Sequence, residues 1–180
     1  MRKAIFVCVC LCSALAACDK NRIDEDYWRE RGAESVLPLK QNLKRALASG
    51  LEEGPVEAVT ACQAIAPSVT RGASTRSANV GRTSHKLRNP ANEPKFWMRP
   101  LLQSYLDHPD QMDPKVIVLD EETIGYMEPI YLQPMCVTCH GTSIDPEVQA
   151  RIDELYPEDE ATGFEPGYFR GVFWAELSRK

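Results

Sequence analysis

Residues Cys136-Val137-Thr138-Cys139-His140 form a C-x-x-C-H motif, and the fold has to bring these five side chains to one binding site. Two cysteines separated by two residues place both sulfurs along one edge of a porphyrin, where each adds to a vinyl group. The adjacent histidine is carried under the iron, where its imidazole is the proximal ligand. The motif therefore predicts one covalently bound haem c, attached to Cys136 and Cys139, with His140 as an axial ligand.

Two other uses of a C-x-x-C pair fit the sequence less well. Half of a zinc site needs a second Cys/His pair at finger-like spacing, and no such pair follows. A thioredoxin-like redox pair needs a βαβ context and a helix that begins at the first cysteine. A c-type haem is the interpretation that the motif favours.

The first 17 residues have the pattern of an export signal. Arg2 and Lys3 precede an apolar run over residues 4–17, which is shorter than the ~20 residues of a membrane-spanning helix. The run ends in Leu-Ala-Ala-Cys at residues 15–18, which resembles a bacterial lipobox. This resemblance implies cleavage before Cys18 and acylation of its thiol, whereas an ordinary signal peptide would be cut nearby. Both interpretations predict export, to the compartment where c-type haem is attached.

The residue after the lipidation site bears on the choice of membrane. In enteric-type bacteria an aspartate at the position of Asp19 resembles the signal that keeps a lipoprotein in the inner membrane. We expect a protein anchored by lipid on the periplasmic side, with the inner membrane favoured over the outer. The predicted organisation is a signal peptide (1–17), a strongly charged tether (18–37) and one haem domain (38–180).

Cysteine usage leaves one thiol without a role. Three of the 7 cysteines lie in the signal, one takes lipid and two take haem, which leaves Cys62. In an exported protein a leftover cysteine with no intramolecular disulfide partner asks for an explanation. A buried structural thiol is the common fate of a lone cysteine.

The charge balance excludes one class of partner. The chain carries 21 Lys and Arg residues against 26 Asp and Glu residues, for a formal net charge of −5. Loss of Arg2 and Lys3 with the signal makes the formal charge −7. Nucleic-acid binding needs a basic face, so nucleic acid is not an expected partner. The same charge disfavours adhesion to anionic lipid and leaves the acyl chains as the membrane attachment.

Hydrophobic periodicity predicts two helices near the start of the domain. Leu39, Leu43 and Leu47 recur at i, i+4 and i+8, which indicates an amphipathic helix from residue 38 to about residue 50. A second helix is predicted over residues 55–67, with proline at its first position and at its end. Its apolar face is formed by Ala58, Cys62 and Ile65.

The rest of the chain predicts mainly strands. Residues 68–81 are rich in Ser, Gly, Arg and Thr and are predicted to be a loop, and a short helix is predicted over 96–106. Alternating and β-branched runs predict a hairpin of strands 116–119 and 124–132, and the aromatic stretch 167–177 predicts a last strand or pair of strands. Helices followed by antiparallel strands indicate an α+β fold.

Five segments, in this order, resemble a known family. They are residues 55–67 with Cys62 near the centre, the sequence RTSHKLRNPAN at 82–92, CVTCHG at 136–141, YP…A-x-G at 156–163 and G-x-x-R-G at 167–171. This order is similar to the PAS-like monohaem c-type cytochrome domain, first catalogued as a domain of unknown function and known from a cyanobacterial cytochrome. The resemblance covers roughly residues 39–177.

The resemblance implies a PAS-like fold, in which a curved antiparallel sheet flanked by N-terminal helices encloses one haem. It also implies that the helix cysteine, here Cys62, is the second axial ligand opposite His140. The residues alone leave other distal ligands open, because several further Met and His side chains are present, namely Met98, Met112, Met127, Met135, His85 and His108.

Haem propionates need cations or hydrogen-bond donors. The candidates are the basic residues of the 82–92 segment, followed by one arginine near the C-terminus: Arg82, Lys86, Arg88 and then Arg170. A solvated surface charge is the alternative for each of them taken singly.

Ligand identity sets the expected function. A thiolate ligand favours Fe(III), so ligation by His140 and Cys62 predicts a low-potential haem. Three classes of function follow: a low-potential electron carrier, a redox or gas sensor, and a haem enzyme acting on a small molecule such as peroxide or nitric oxide. No acid/base constellation stands out apart from the haem ligands, which disfavours the enzyme. We expect electron transfer or sensing with a redox or signalling partner protein in the periplasm.

Overall fold

An antiparallel sheet with helices on both faces forms the framework of this protein. The computed structural model describes residues 23–111 and 113–180. Helices and strands follow in the order α1 (Glu25–Glu53), α2 (Pro55–Ala73), β1 (Ala78–Thr83), α3 (Arg99–Asp107), β2 (Lys115–Val118), β3 (Thr123–Tyr131), α4 (Val137–His140), α5 (Pro146–Leu155) and β4 (Phe169–Ser178). Short 3₁₀ turns lie at Pro90–Asn92, Phe96–Met98 and Pro134–Cys136.

The four strands lie in the order β1-β4-β3-β2, and every neighbouring pair is antiparallel. The predicted hairpin is present as β2 and β3, joined by a turn in which Asp120 Oδ1 accepts the amide hydrogen of Glu122 at 2.8 Å. The predicted last strand is β4, which lies between β1 and β3. The expected α+β fold with an antiparallel sheet is therefore confirmed.

The long helices and α3 pack on opposite faces of the sheet. Strand residues alternate between the two faces, as the pleat requires. One buried cluster joins α1 to the sheet and consists of Val36, Leu39, Ala78, Val80, Ile124, Tyr126, Ala175 and Leu177. The other joins α3 to the opposite face and consists of Met98, Leu102, Tyr105, Met127, Phe169 and Val172.

The tether prediction is wrong for residues 25–37, because these residues form the first turns of α1. Asp24 caps the helix by accepting the amide hydrogen of Tyr27 at 3.1 Å, and Gly32 and Val36 are buried. Pro38 lies inside the helix instead of starting it. An internal proline costs about 3 kcal/mol, and burial of the preceding turns against the sheet offsets that cost. The predicted signal peptide, the lipidation site at Cys18 and the start of the tether lie outside the described residues.

The predicted loop over residues 68–81 is also wrong at both ends. Helix α2 continues through Pro67 to Ala73, and β1 begins at Ala78. Strand β1 has little β-propensity of its own, and its six residues pair with β4 from Ala78↔Leu177 to Thr83↔Val172. Pairing with β4 makes this segment a strand, and the hydrophobic periodicity of the segment itself does not show that pairing.

No helix among the described residues is long and apolar enough to cross a membrane.

A close approach between α1 and β3 fixes the position of the long helix on the sheet. A Cβ atom at Gly32 would overlap the ring of Tyr126, so the helix backbone lies directly on that ring. The Tyr126 hydroxyl donates to Glu128 Oε2 at 2.8 Å, and Lys40 Nζ lies 2.5 Å from Glu128 Oε1. One buried carboxylate thus joins α1 to β3.

Replacement of Gly32 by alanine tests this contact. Gly32→Ala should lower the free energy of unfolding by about 1–3 kcal/mol, because the added methyl group overlaps the Tyr126 ring. Gly72→Ala in α2 is the matched control, because a Cβ there meets no atom within 4 Å. The control should raise the free energy of unfolding by about 0.5–1 kcal/mol through helix propensity. Denaturant unfolding measures both, and stabilisation by both substitutions would contradict the contact.

Candidate functional site

The C-x-x-C-H motif forms a 3₁₀ turn that leads into one turn of helix. Cys136 ends the turn Pro134–Cys136, and Cys139 and His140 lie in α4, which ends at Gly141. The amide of Gly141 donates to the carbonyl of Val137 at 2.9 Å, and a Cβ at Gly141 would lie 2.6 Å from that oxygen. The glycine therefore allows the chain to turn away directly after the histidine.

The imidazole of His140 is held in one tautomer. Its Nδ1 lies 2.6 Å from the carbonyl oxygen of Ala161. A carbonyl only accepts, so Nδ1 carries the proton and Nε2 keeps its lone pair. Burial lowers the pKa of His140 well below its usual value, and the charges of Arg170 and Arg88 lower it further. The ring is therefore a neutral imidazole at neutral pH, with Nε2 available as a metal ligand.

The segment after α5 lies along the motif and supports this geometry. The amide of Gly163 donates to the carbonyl of Gly141 at 2.9 Å, and the amide of Phe164 donates to the carbonyl of His140 at 2.9 Å. Together with the contact between Ala161 and the ring, these bonds fix both the backbone and the side chain of His140.

Arg88 joins this segment to the motif. Its Nε and Nη2 donate to the two carboxylate oxygens of Asp159 at 3.0 and 3.1 Å, and both side chains are largely buried, at 14% and 5% exposed. Nη2 also donates to the carbonyl of Cys139 at 2.6 Å and contacts that of Ala161 at 3.4 Å. The Arg88 guanidinium thus positions the motif through Asp159 and the Cys139 carbonyl. The predicted role of Arg88 as a propionate ligand stays a prediction.

Cys62 lies close to the motif. It is a free, half-buried thiol in α2, the helix that packs against both α4 and α5. Val59, one turn earlier, shares a buried cluster with Val148 and Ile152, and Cys139 packs against that cluster. Burial raises the pKa of the Cys62 thiol, and the guanidinium groups of Arg82 and Arg88 oppose that rise. The apolar face predicted for α2 is confirmed at Ala58, which is buried. It is wrong at Ile65, which is 39% exposed.

Three further cations lie around the same region. Lys86 Nζ donates to the carbonyl of Thr162 at 3.2 Å and stands 5.2 Å from the centre of the Phe164 ring. Arg170 covers the same ring at 5.2 Å and donates to Ser84 Oγ at 2.8 Å. Burial lowers the pKa of Arg170 to about 10, which leaves it charged at neutral pH. Arg82 is half-buried, and no carboxylate of the described residues pairs with it.

Two buried nitrogens in this region have no hydrogen-bond partner within the described chain. They are Nδ1 of His85 and Nε of Arg170. The His85 ring stacks on Phe169 at 5.7 Å and meets Phe164 edge-on at 5.8 Å. Buried polar groups are normally paired, so these two atoms indicate a missing polar partner next to Arg170 and Lys86.

The alternative distal ligands lie in different surroundings, and the half-buried His85 ring lies against Phe164 and Phe169 as described above. Met98 and Met127 are fully buried in the cluster beneath α3, on the face of the sheet opposite α1. His108 is exposed at the end of α3, and Met135 is 47% exposed immediately before Cys136. Met112 lies outside the described residues.

Several parts of the site were not predicted from the sequence. Helix α5 is one of them, although Asp145-Pro146 before it is a typical helix start and Val148 and Ile152 follow at i, i+4. Asp159 is another, because the loop between α5 and β4 has no periodicity. The hydrogen bond from His140 to the carbonyl of Ala161 cannot be predicted from the sequence, because every residue has a backbone carbonyl.

The sequence matches the Tll0287-like family over residues 20–178. This match confirms the family resemblance drawn from the five segments. The crystal structure of the cyanobacterial heme-protein Tll0287 aligns with 82% of this chain and 94% of its own at a TM-score of 0.59 and 20% identity. That likeness confirms the fold. No curated protein matches the chain.

Breaking the buried ion pair beside the motif tests the role of Arg88. Arg88→Met should lower the free energy of unfolding by about 3–5 kcal/mol, because it leaves the Asp159 carboxylate buried without its partner. Arg99→Met is the matched control, since its pair with Glu93 is 59% and 68% exposed and should contribute less than about 1 kcal/mol. Denaturant unfolding compares the two. Equal losses would show that Arg88 does not act as a structural clamp.

Proposed function

Because the chain belongs to the Tll0287-like family, we propose that it is an exported protein with one covalently attached haem c, acting in low-potential electron transfer or in haem-based redox or gas sensing. The observation that carries this proposal is the hydrogen bond from His140 Nδ1 to the carbonyl of Ala161, 2.6 Å long, within a C-x-x-C-H motif. Ligating histidines almost always donate their other ring nitrogen in this way. His140 is thus prepared to bind iron through Nε2.

Cys136 and Cys139 are the proposed attachment residues. Both are free, half-buried thiols, as thioether formation with the two vinyl groups requires. A zinc site is disfavoured, because the described residues contain no group of three or more His, Cys, Asp or Glu side chains placed to hold a metal ion. The haem iron supplies one-electron redox chemistry.

Cys62 is the proposed second axial ligand. Its support is its place on α2, the helix that packs against α4, whereas Met98 and Met127 are fully buried in the cluster beneath α3. Burial raises the pKa of the Cys62 thiol, and the guanidinium groups of Arg82 and Arg88 oppose that rise. A thiolate ligand stabilises Fe(III) and lowers the reduction potential, which favours low-potential electron transfer or redox sensing.

Arg82, Lys86 and Arg170 are the proposed propionate partners. They bring three positive charges to the edge of the site, and the unpaired Nε of Arg170 and Nδ1 of His85 are buried beside them. A pair of carboxylates would satisfy both the charge and the missing hydrogen bonds. The residues present therefore fit a haem. Arg88 stays a candidate partner, with its Nε and Nη2 already bound to Asp159.

Spectra of a ligand variant test this proposal. Cys62→Ser should abolish a low-spin ferric thiolate signal in electron paramagnetic resonance and raise the reduction potential on the order of 0.1 V, part of the ~0.8 V range that axial ligands set. Met135→Leu is the control and should change neither quantity. Unchanged spectra in Cys62→Ser would make Cys62 a core residue, with methionine, histidine or no ligand at the distal position.

The proposed location is the periplasmic side of the inner membrane, with the protein anchored through lipid on Cys18. Its partner would be a redox or signalling protein of the same compartment. Cys18→Ser in the full-length precursor should abolish acyl-chain labelling. Cys12→Ser, inside the predicted signal, should leave the labelling intact. Labelling of the parent confined to an outer-membrane fraction would contradict the choice of membrane, and labelling of Cys18→Ser would contradict the lipidation site.

A further inference from the structure

We propose that His85 takes up a proton when the haem iron is reduced, so that electron transfer at this site is coupled to proton transfer. The electron comes from a one-electron donor and the proton from solvent, and both are released when the iron is oxidised again. The proposal rests on the haem function proposed above and adds to it the residue that carries the proton.

The His85 ring is held among aromatic side chains. It stacks on Phe169 with 5.7 Å between the ring centres and meets Phe164 edge-on at 5.8 Å. Tyr105 and Tyr131 pack on the same Phe169 ring at 5.3 and 6.1 Å. Burial raises the pKa of both tyrosines, so their hydroxyls stay neutral. The imidazole therefore has a fixed place, and its aromatic neighbours bring no charge to it.

Two cations lie against the segment that carries His85. Arg170 Nη1 donates to the Ser84 hydroxyl at 2.8 Å and to the Lys86 carbonyl at 3.1 Å, which are groups on either side of His85 in sequence. The Arg170 guanidinium and Lys86 Nζ each stand 5.2 Å from the centre of the Phe164 ring. The imidazole and both cations thus contact one aromatic ring.

The charge around His85 opposes its protonation while no anion is bound. Burial lowers the pKa of His85, and the charges of Arg170 and Lys86 lower it further. In the loop between α5 and β4 the buried Asp159 is bound to Arg88. The other acidic side chains of that loop are exposed to water, namely Glu158, Glu160 and Glu165. The imidazole is therefore neutral at neutral pH without the haem, and its buried Nδ1 has no partner in the described chain.

Haem carboxylates would reverse this balance. Arg170 and Lys86 are proposed propionate partners, and a carboxylate bound to them would offset the two charges that oppose protonation of His85. The same carboxylate could accept a hydrogen bond from the unpartnered Nδ1, and an anion in that role favours the charged imidazolium. Binding of the haem should therefore raise the pKa of His85 towards its usual value.

The iron site and His85 share a charged neighbour. The charge of Arg170 lowers the pKa of His140 as well as that of His85, so one guanidinium acts on both the proposed ligand and the proposed proton carrier. An added electron makes the iron centre more negative by one charge, and partly buried charges are screened less than exposed ones. Reduction therefore favours the protonated form of His85.

The other histidines and the nearby tyrosine do not meet the requirements for this role. His140 uses its Nε2 for the iron, and His108 is exposed at the end of α3. Burial raises the pKa of Tyr156, which keeps its hydroxyl neutral. Histidine is the side chain whose usual pKa lies between about 5 and 8. His85 is thus the residue whose charge responds to the iron near neutral pH.

The reduction potential of the holoprotein as a function of pH tests this role. Between about pH 5 and pH 8 the parent potential should fall as the pH rises, because scarcer protons disfavour reduction. The slope should reach at most ~59 mV per tenfold change in proton concentration, the value for a one-electron couple. His85→Gln should remove this slope and keep the haem spectrum, since an amide does not titrate. His108→Gln is the matched control and should keep the parent slope.

Proton uptake measures the same step directly. Electrochemical reduction in a weakly buffered solution with a pH indicator should consume protons with the parent and with His108→Gln, and none with His85→Gln. Lys86→Gln should move the pH-dependent range upward, because it removes one of the two charges that lower the pKa of His85.

Three results would overturn the role of His85. The first is a haem-loaded parent whose potential does not change with pH. The second is a slope or proton uptake that persists in His85→Gln, which would assign the proton to the Cys62 thiol or to a propionate. The third is a pH-dependent range that does not move upward in Lys86→Gln, which decides the matter if His85→Gln fails to fold. Absence of any haem spectrum in the parent would instead refute the haem function itself.

Discussion

One buried ion pair connects the parts of this protein on which its proposed chemistry depends. The Arg88 guanidinium binds both oxygens of the Asp159 carboxylate and the carbonyl of Cys139. Asp159 Oδ1 in turn accepts the amide hydrogen of Ala161, at 2.9 Å, whose carbonyl holds the His140 ring. A buried pair of this kind is costly to break, so the tautomer of the histidine depends on an arginine 52 positions earlier in the sequence.

The order of the strands makes the site a product of the whole chain. Strand β4 is the last in sequence and lies at the centre of the sheet, between β1 and β3. It carries Arg170 into the cationic group around Phe164. The segment before it supplies the contacts with the motif. The site is complete only when β4 has paired with β1 and β3, because the segments that follow β1 and β3 in sequence carry site residues.

Electrostatics and burial act together at the proposed ligands. Neutral imidazole is favoured at His140 by burial and by neighbouring cations, and the same cations oppose the effect of burial at Cys62. Positive charge thus adds to the effect of burial at the nitrogen of His140 and opposes it at the sulfur of Cys62. Arg82, Lys86 and Arg170 extend that charge to the edge where carboxylates would lie. A group with one metal ion and two acidic side chains matches this distribution of charge.

The sequence by itself determined the chemistry-bearing motif, the family and the α+β class, because the C-x-x-C-H spacing and the 82–92 segment are local patterns. It also placed the β2–β3 hairpin, whose signal is period-2 alternation between turn residues. Only the tertiary structure decided that residues 25–37 are helix, that 78–83 is a strand and that Arg88 binds Asp159. These three outcomes arise from packing and pairing between segments far apart in sequence, where burial outweighs local propensity, and no periodicity within a single segment records them.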